Sequence, residues 1–271
     1  MIDSIYDLIK NVSTILPPDV EKQIKNIDGH LASVMKDAIK ISKDNCIPIC
    51  QDTGYPYFLV KLPFSQTSRI KEINLSIEKA LLMATEDGII RPNSVDPIRD
   101  RNYGNNLGEY LPYVDFEFQN RDDIEINLLL KGGGSENVSN QYSIPNDITS
   151  ERSIEGVKKI ILYHLTEVQG LGCAPGIIGV CIGGDRALGY KIAKKQLFRS
   201  LDDKNKDPII AELESQILEK ANSLNIGPMG LGGSPTLLGV KIGFAARHPA
   251  SFFVTISYLC WVARRGKCNI K

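Results

Sequence analysis

Ile177-Ile-Gly-Val-Cys-Ile182 opens the stretch that decides the fold, because it leads through Gly183-Gly-Asp-Arg186 into a helical segment running to 199. An unbroken apolar run of this length reads as a strand of the buried type. Working outward, residues 208–224 place Ile210, Leu213, Ile217, Ala221 and Leu224 on one helical stripe. Two alternating runs follow: Leu238, Val240, Ile242, Phe244, and Phe252, Val254, Ile256, Tyr258. Upstream, a helix is expected over 152–169. Before it, Val114, Phe116 and Phe118 alternate with Asp115 and Glu117, and Ile124, Ile126 and Leu128 alternate with Glu125 and Asn127. The polar stretch 119–123 between these runs predicts a β-hairpin. Tyr57-Phe-Leu-Val60 is another short strand. It lies between a helical region over 1–46, with Leu31, Val34, Met35, Ala38 and Ser42 on one face, and a helix over 73–87 that Gly88 stops. Residues 89–112, rich in Asn, Pro and Arg, are expected to form a long ordered loop, and no repeat is visible. Helices combined with alternating and continuous strands specify an α/β (mixed α+β) fold, with mixed sheets flanked by helices. One domain over 1–271 is expected, with 1–28 as a peripheral helical segment.

Composition excludes whole classes of function. Lys+Arg and Asp+Glu are both 32 and the pI is about 6.8, so the chain is neither a basic nucleic-acid coat nor a polyacidic tail. No apolar run reaches the roughly 18 residues of a membrane span. The start, Met1-Ile-Asp-Ser-Ile-Tyr, lacks the basic and apolar regions of a secretory signal, so a cytoplasmic location is expected. In that reducing compartment the six cysteines are buried hydrophobes, metal ligands or reactive thiols rather than disulfides. No Cys-x-x-Cys pair occurs, so spacing alone defines no metal site.

Glycines cluster at four places: Cys50-Gln-Asp-Thr-Gly54, Lys131-Gly-Gly-Gly-Ser-Glu-Asn137, Gly172-Cys-Ala-Pro-Gly176 with Gly183-Gly184, and Gly227-Pro-Met-Gly-Leu-Gly-Gly233. Each is either a tight turn or a place where backbone N–H groups approach an anion, and four in one chain favour a small anionic ligand. No phosphate loop of the G-x-x-x-x-G-K-[ST] type is present, and the last cluster is not a dinucleotide fingerprint.

Taken together and in order, these clusters with Arg91-Pro-Asn-Ser94, Ala246-Arg-His-Pro-Ala-Ser251 and Cys260-Trp-Val-Ala-Arg-Arg265 resemble the class I fumarase / L-tartrate dehydratase iron–sulfur hydro-lyases, in their N-terminal domain or α subunit. The resemblance runs from about residue 30 to the C-terminus. It implies the fold of that domain and a 4Fe-4S cluster held by Cys50, Cys173 and Cys260. Two departures are visible: Cys173-Ala-Pro175 replaces the usual Cys-Pro-Pro, and Ser234-Pro-Thr236 replaces a basic residue with paired Thr. Thiolates are the expected ligands, and three of them on four irons leave one iron able to act as a Lewis acid toward a hydroxyl and a carboxylate.

The same resemblance makes Asp52 and His248 catalytic, Asp52 by orienting groups beside the cluster, where it also suits pairing with His248 or an arginine. It makes Arg91 a carboxylate clamp, a role suited to the paired donors of a guanidinium. Gln51 and the amides of Gly134, Ser135, Glu136 and Asn137 supply further contacts to a small dicarboxylate. Arg264 and Arg265 are expected on a charged face. Cys181 and His164 are expected in the core, Cys268 in the tail, and Cys46 outside the ligand set.

Fused relatives carry a further C-terminal domain with the remaining catalytic groups. The expectation here is therefore an α subunit completed by a separate β subunit, as α2β2, without nucleic acid or membrane partners. Fumarate–malate interconversion is the expected reaction, with L-tartrate dehydration as the alternative. A non-catalytic iron–sulfur sensor is the reading from another class, and it would need a fourth protein thiolate. An open iron also predicts sensitivity to oxygen.

Overall fold

A computed structural model describes residues 1–270. The chain divides into two compact units. The first comprises Met1–Pro18, Val34–Gly133 and Val262–Lys271, and the second Asp19–Ser33 and Gly134–Trp261. Both are mixed α/β, as expected.

The first unit is built on a four-stranded sheet of order β10-β5-β1-β4, from β1 (Tyr55–Pro63), β4 (Tyr113–Gln119), β5 (Ile124–Lys131) and β10 (Arg265–Ile270). Helices α1 (Ile2–Thr14) and α4 (Ile70–Glu86) pack with it. The periodicity of α4 is realised: Ile73, Ile77, Ala80, Leu81 and Ala84 are all buried, and Gly88 ends the helix region at a positive φ of 71°. The segment expected at the periphery contributes to this core, because α1 buries Ile5, Leu8, Ile9 and Val12 with Phe58, Val60 and Ile126. Each fully buried aliphatic side chain contributes about 1.5–3 kcal/mol, so α1 is integral to the unit.

The expected hairpin is not formed. The strands β4 and β5 do not pair with each other; β1 lies between them, parallel to β4 and antiparallel to β5. The reason is apolarity. Tyr57, Phe58, Leu59, Val60 and Leu62 are all buried, so β1 takes the central position and the alternating strands flank it. The 119–123 connection therefore passes the end of β1, where the Gln119 amide donates to the Lys61 and Asp123 carbonyls. The polar face of β5 is covered as well. Glu125 and Asn127 are buried, and Lys61 and Lys267 bond Glu125 at 2.6 and 3.0 Å. Burial would raise the Glu125 carboxyl pKa, but these lysines and Asn127 lower it to about 2.

The second unit holds the sheet β6-β9-β7-β8, from β6 (Asn140–Ser143), β7 (Gly176–Gly183), β8 (Leu237–Ala245) and β9 (Phe253–Leu259). Helices α6 (Ile154–Val168) and α8 (Pro208–Ser223) cover one face through Val157, Ile161, Leu213 and Ile217 against Ile178, Val180 and Ile256. On the alternate positions of β7, Gly179 admits the backbone of α7 (Arg186–Gln196) where a Cβ would overlap the Ala193 carbonyl. The continuous strand at 177–182 is thus central, parallel to β8 and antiparallel to β9.

The two sheets share one topology. Each has a central strand, a helical crossover, a parallel neighbour and an antiparallel neighbour: β1-α4-β4-β5 and β7-α7/α8-β8-β9. The fourth strands are exchanged. After β5 the chain forms the five-residue helix α5 (Gly133–Asn137) and then β6, which joins β9. After β9 it forms β10, which joins β5. This is a repeat that hydropathy did not show. Neither β6 nor β10 was expected from the sequence, since both are short polar edge strands.

The 1–46 region is helical but broken into α1, α2 (Pro18–Lys25) and α3 (His30–Asn45). The buried positions of α3 are Ala32, Met35, Ile39 and Ser42; Val34 is exposed. Within the expected loop 89–112, β2 (Val95–Asp96) and β3 (Arg101–Asn102) form a minimal ladder.

Candidate active site

In the first unit, four of the sequence motifs converge on one turn. Loop 50–54 precedes β1 and is tied to α1 by the Ile49 N–H to Ser13 carbonyl bond (3.4 Å). Cys50, Gln51 and Asp52 are exposed, whereas Thr53 is completely buried. The Thr53 hydroxyl oxygen accepts from the Arg91 N–H and the Asn93 amide, both at 3.0 Å, and the same Asn93 amide donates to the Gly54 carbonyl. Buried Asn106 completes this network by donating to the Arg91 carbonyl and accepting from the Asn93 N–H. The backbone of Arg91 is therefore locked to the loop that carries Cys50, and its side chain is exposed to solvent.

Both Asp52 carboxylate oxygens are engaged. Oδ1 accepts from the Gly54 N–H at 3.0 Å and Oδ2 from the Gly133 N–H at 2.7 Å. At Gly132 a Cβ would stand 2.8 Å from Asp52 Oδ2, so the glycine gives the carboxylate room beside the turn. The arginine contact expected of Asp52 is made by its main chain: the Arg264 guanidinium donates to the Asp52 carbonyl and, at 3.3 Å, to the Leu130 carbonyl. The expectation for Arg264 and Arg265 is corrected, since both are buried, at 1% and 8% exposure, and neither forms a charged face. Arg265 opens β10 and pairs with Leu129, and Arg264 just before it accepts the Leu130 N–H through its carbonyl.

In the second unit, Cys173 and Cys260 lie on adjoining loops. The Trp261 N–H donates to the Cys173 carbonyl at 3.2 Å, and Cys173 takes a left-handed φ of 57°. Tyr258 underlies both. It is 1% exposed, and burial together with the neighbouring Cys260 and Cys173 sulfurs pushes its phenol pKa upward. Gly172 and Gly176 press against the Tyr258 ring, so a Cβ at either would overlap it. The 227–233 cluster braces the same loop through the Met229 N–H to Ala174 carbonyl bond (2.9 Å) and through Gly170 against Gly230.

Of the expected amide contacts, Gly134, Glu136 and Asn137 are exposed and Ser135 is buried. Glu136 pairs with Lys194 at 2.7 Å. His248 sits in the exposed loop between β8 and β9, where Arg152 and Arg247 hold the carbonyls of residues 248–251. Its Nδ1 accepts the Ala250 N–H at 3.1 Å. In the neutral ring the proton is therefore on Nε2, which is then a donor.

The remaining histidine and cysteine expectations divide cleanly. His164 is 2% exposed and its Nδ1 meets the Tyr142 hydroxyl at 3.0 Å. Cys181 lies in the core, and Cys268 lies in β10 rather than in a free tail; burial pushes both thiol pKa values to about 11. A thiol held neutral in this way is a poor ligand. By contrast Cys50, Cys173 and Cys260 occupy loops at exposed or half-exposed positions, which suits thiolate ligation. Cys46 is also exposed, in a left-handed conformation. Among the described residues no disulfide forms, and no three His, Cys, Asp or Glu side chains are gathered as a set able to hold a metal ion. No helix among them is long and apolar enough to cross a membrane.

The networks through Thr53, Asn93, Asn106, Arg264 and Tyr258 were not assigned from the sequence. Thr53 and Asn93 lie inside motifs already singled out, but Asn106 carries no local signal.

Comparison with known proteins places these features in context. The family model described as fumarate hydratase (Fumerase) matches residues 2–269. A Geobacillus stearothermophilus protein named "Putative fumarate hydratase class I" is 46% identical over 97% of this chain, which spans about half (53%) of that relative's length. A Methanocaldococcus jannaschii protein named "Putative L(+)-tartrate dehydratase subunit alpha" is 36% identical, covering 99% of this chain and 97% of its own. The Escherichia coli L(+)-tartrate dehydratase subunit alpha is 31% identical, covering 94% and 86%.

Proposed function

Because the chain belongs to the fumarate hydratase (Fumerase) family of hydro-lyases, we propose that it is the α subunit of an iron–sulfur enzyme interconverting fumarate and L-malate. The observation that carries this reading is the match across residues 2–269 together with 46% identity to a protein bearing the class I fumarate hydratase name. Cys50, Cys173 and Cys260 are the proposed ligands of a 4Fe-4S cluster, because they combine the family motif positions with accessible thiols on loops. The chemistry such a cluster supplies when bound is Lewis-acid polarisation of the substrate hydroxyl and carboxylate at an iron without a protein ligand.

The chain's own residues do the rest of the binding. The Arg91 guanidinium clamps a substrate carboxylate, and its backbone bond to Thr53 keeps that clamp in register with loop 50–54. The Gln51 amide and the backbone at Gly134, Ser135, Glu136 and Asn137 bind the second carboxylate. His248 presents Nε2–H and so donates a hydrogen bond to a substrate oxygen. It is the wrong tautomer to accept a proton at Nε2 in its neutral form. As the family resemblance implies, the base that takes the proton beside the carboxylate is assigned to a β subunit, in an α2β2 enzyme of the cytoplasm. Asp52 positions the loop through its two N–H acceptor bonds.

The names of the M. jannaschii and E. coli relatives, which this chain matches over most of their length, support L-tartrate dehydration as the second reading. Anaerobic reconstitution with iron, sulfide and the β chain, followed by fumarate hydration and L-tartrate dehydration assays, decides between them. Malate formed from fumarate supports the first reading. Oxaloacetate from tartrate, without fumarate hydration, replaces it with the second.

A further inference from the structure

Arg264 is among the largest fully buried side chains of the protein, and its position is unlike that of a structural ion pair. Its guanidinium meets main-chain carbonyls instead of a carboxylate: Asp52, two residues beyond Cys50, and Leu130, at the end of β5. Its own carbonyl accepts the Leu130 N–H at 2.9 Å, which fixes the backbone from which the side chain projects. The Cβ position at Gly132 lies 3.5 Å from its Nη2, so the glycine turn leaves room for the guanidinium and the Asp52 carboxylate together. Asp52 is thus gripped from two sides, by Arg264 at its carbonyl and by the Gly54 and Gly133 N–H groups at its carboxylate. Burying a guanidinium is costly, and hydrogen bonds to charged groups are the stronger kind. An arginine spent on two carbonyls beside an exposed cysteine marks that loop as a segment whose conformation matters.

We propose that Arg264 is the positioning residue of loop 50–54, holding it through the Asp52 carbonyl so that Cys50 is presented in a single orientation. The importance of that orientation rests on the reading of Cys50 as a cluster ligand; the grip itself does not. Arg264→Met removes the donors at similar volume, whereas Arg264→Lys keeps the charge and can reach one carbonyl.

Amide hydrogen exchange of the iron-free full chain tests the grip. In Arg264→Met the Gly54 and Gly133 N–H groups exchange about tenfold faster, the factor given by about 1.4 kcal/mol of lost interaction. Arg264→Lys falls between, and the amides of α6 keep their parent rates. Iron bound per chain after anaerobic reconstitution drops in Arg264→Met and recovers in part in Arg264→Lys. Parent-like exchange at Gly54 and Gly133 in folded Arg264→Met overturns the proposal. If that variant does not fold, parent-like exchange in Arg264→Lys overturns it instead. A parent chain that binds no iron sinks the cluster reading, while the exchange rates still decide the role of Arg264.

Discussion

Glycine and histidine are the residues at which single-atom geometry has the clearest consequences here. Gly176 opens β7 against the buried Tyr258 ring, and a methyl group has no space there. Gly176→Ala should cost about 1–3 kcal/mol through overpacking, read as a lower urea midpoint with an unchanged slope. His164 is a different case. Burial lowers its pKa from 6.5 to about 4. The unfolded chain therefore binds a proton at a pH where the folded chain does not. The stability this gives is complete above pH 6.5 and is lost as pH falls toward about 4. His164→Gln should flatten the stability profile across that window, measured by urea unfolding at stepped pH. A slope equal to that of the parent counts against the buried neutral ring. At this scale the sequence was legible in part. His164 on an apolar helical stripe pointed to the core, but Arg264, next to a second arginine, gave no sign that a guanidinium would be 1% exposed.

Edges of sheets set the behaviour of the elements. The strand β8 lies at the edge of its sheet, and its outward Ile242 groups are not left open. Glu214, buried at 7% exposure, accepts the Ile242 N–H at 2.7 Å, and Asn205 donates to the Ile242 carbonyl at 2.9 Å. Arg199 ties this patch together by bonding Glu214 at 2.7 Å. Side chains thus occupy the positions another strand would take, which guards against edge-to-edge pairing. Glu214→Ala removes the acceptor and leaves Arg199 short of a partner. A loss of about 2–3 kcal/mol in chemical denaturation is expected, with increased self-association in light scattering. Element positions were largely visible in the sequence because α4, α6, α8 and β7 carry strong periodic or continuous apolar patterns. Partner choice was not. Alternation in 114–118 and 124–128 marks two strands, but only the greater apolarity of β1 decides that it comes between them.

Across the whole molecule, one topology used twice explains where the candidate ligands fall. Cys50 precedes the central strand β1 and Cys173 precedes the central strand β7. Cys260 follows β9 at the place where Gly132 and Gly133 follow β5. Serine substitution gives a direct check on the assignment: Cys50→Ser, Cys173→Ser and Cys260→Ser should each lower iron and sulfide per chain after reconstitution. Cys46→Ser, Cys181→Ser and Cys268→Ser should leave them at the parent level. Full iron content in any of the first three removes that residue from the proposed set. Exposure of the reconstituted protein to air should release iron and abolish hydration, followed by iron assay and activity together. The sequence by itself determined the mixed α/β class, most helices and strands, and the family motifs, because these are written in local periodicity and in short ordered strings. Only the tertiary structure decided the insertion of β1 between β4 and β5, the exchange of β6 and β10 and the burial of Arg264. Those outcomes depend on which apolar faces and which backbone donors meet across many tens of residues, a competition that no local window contains.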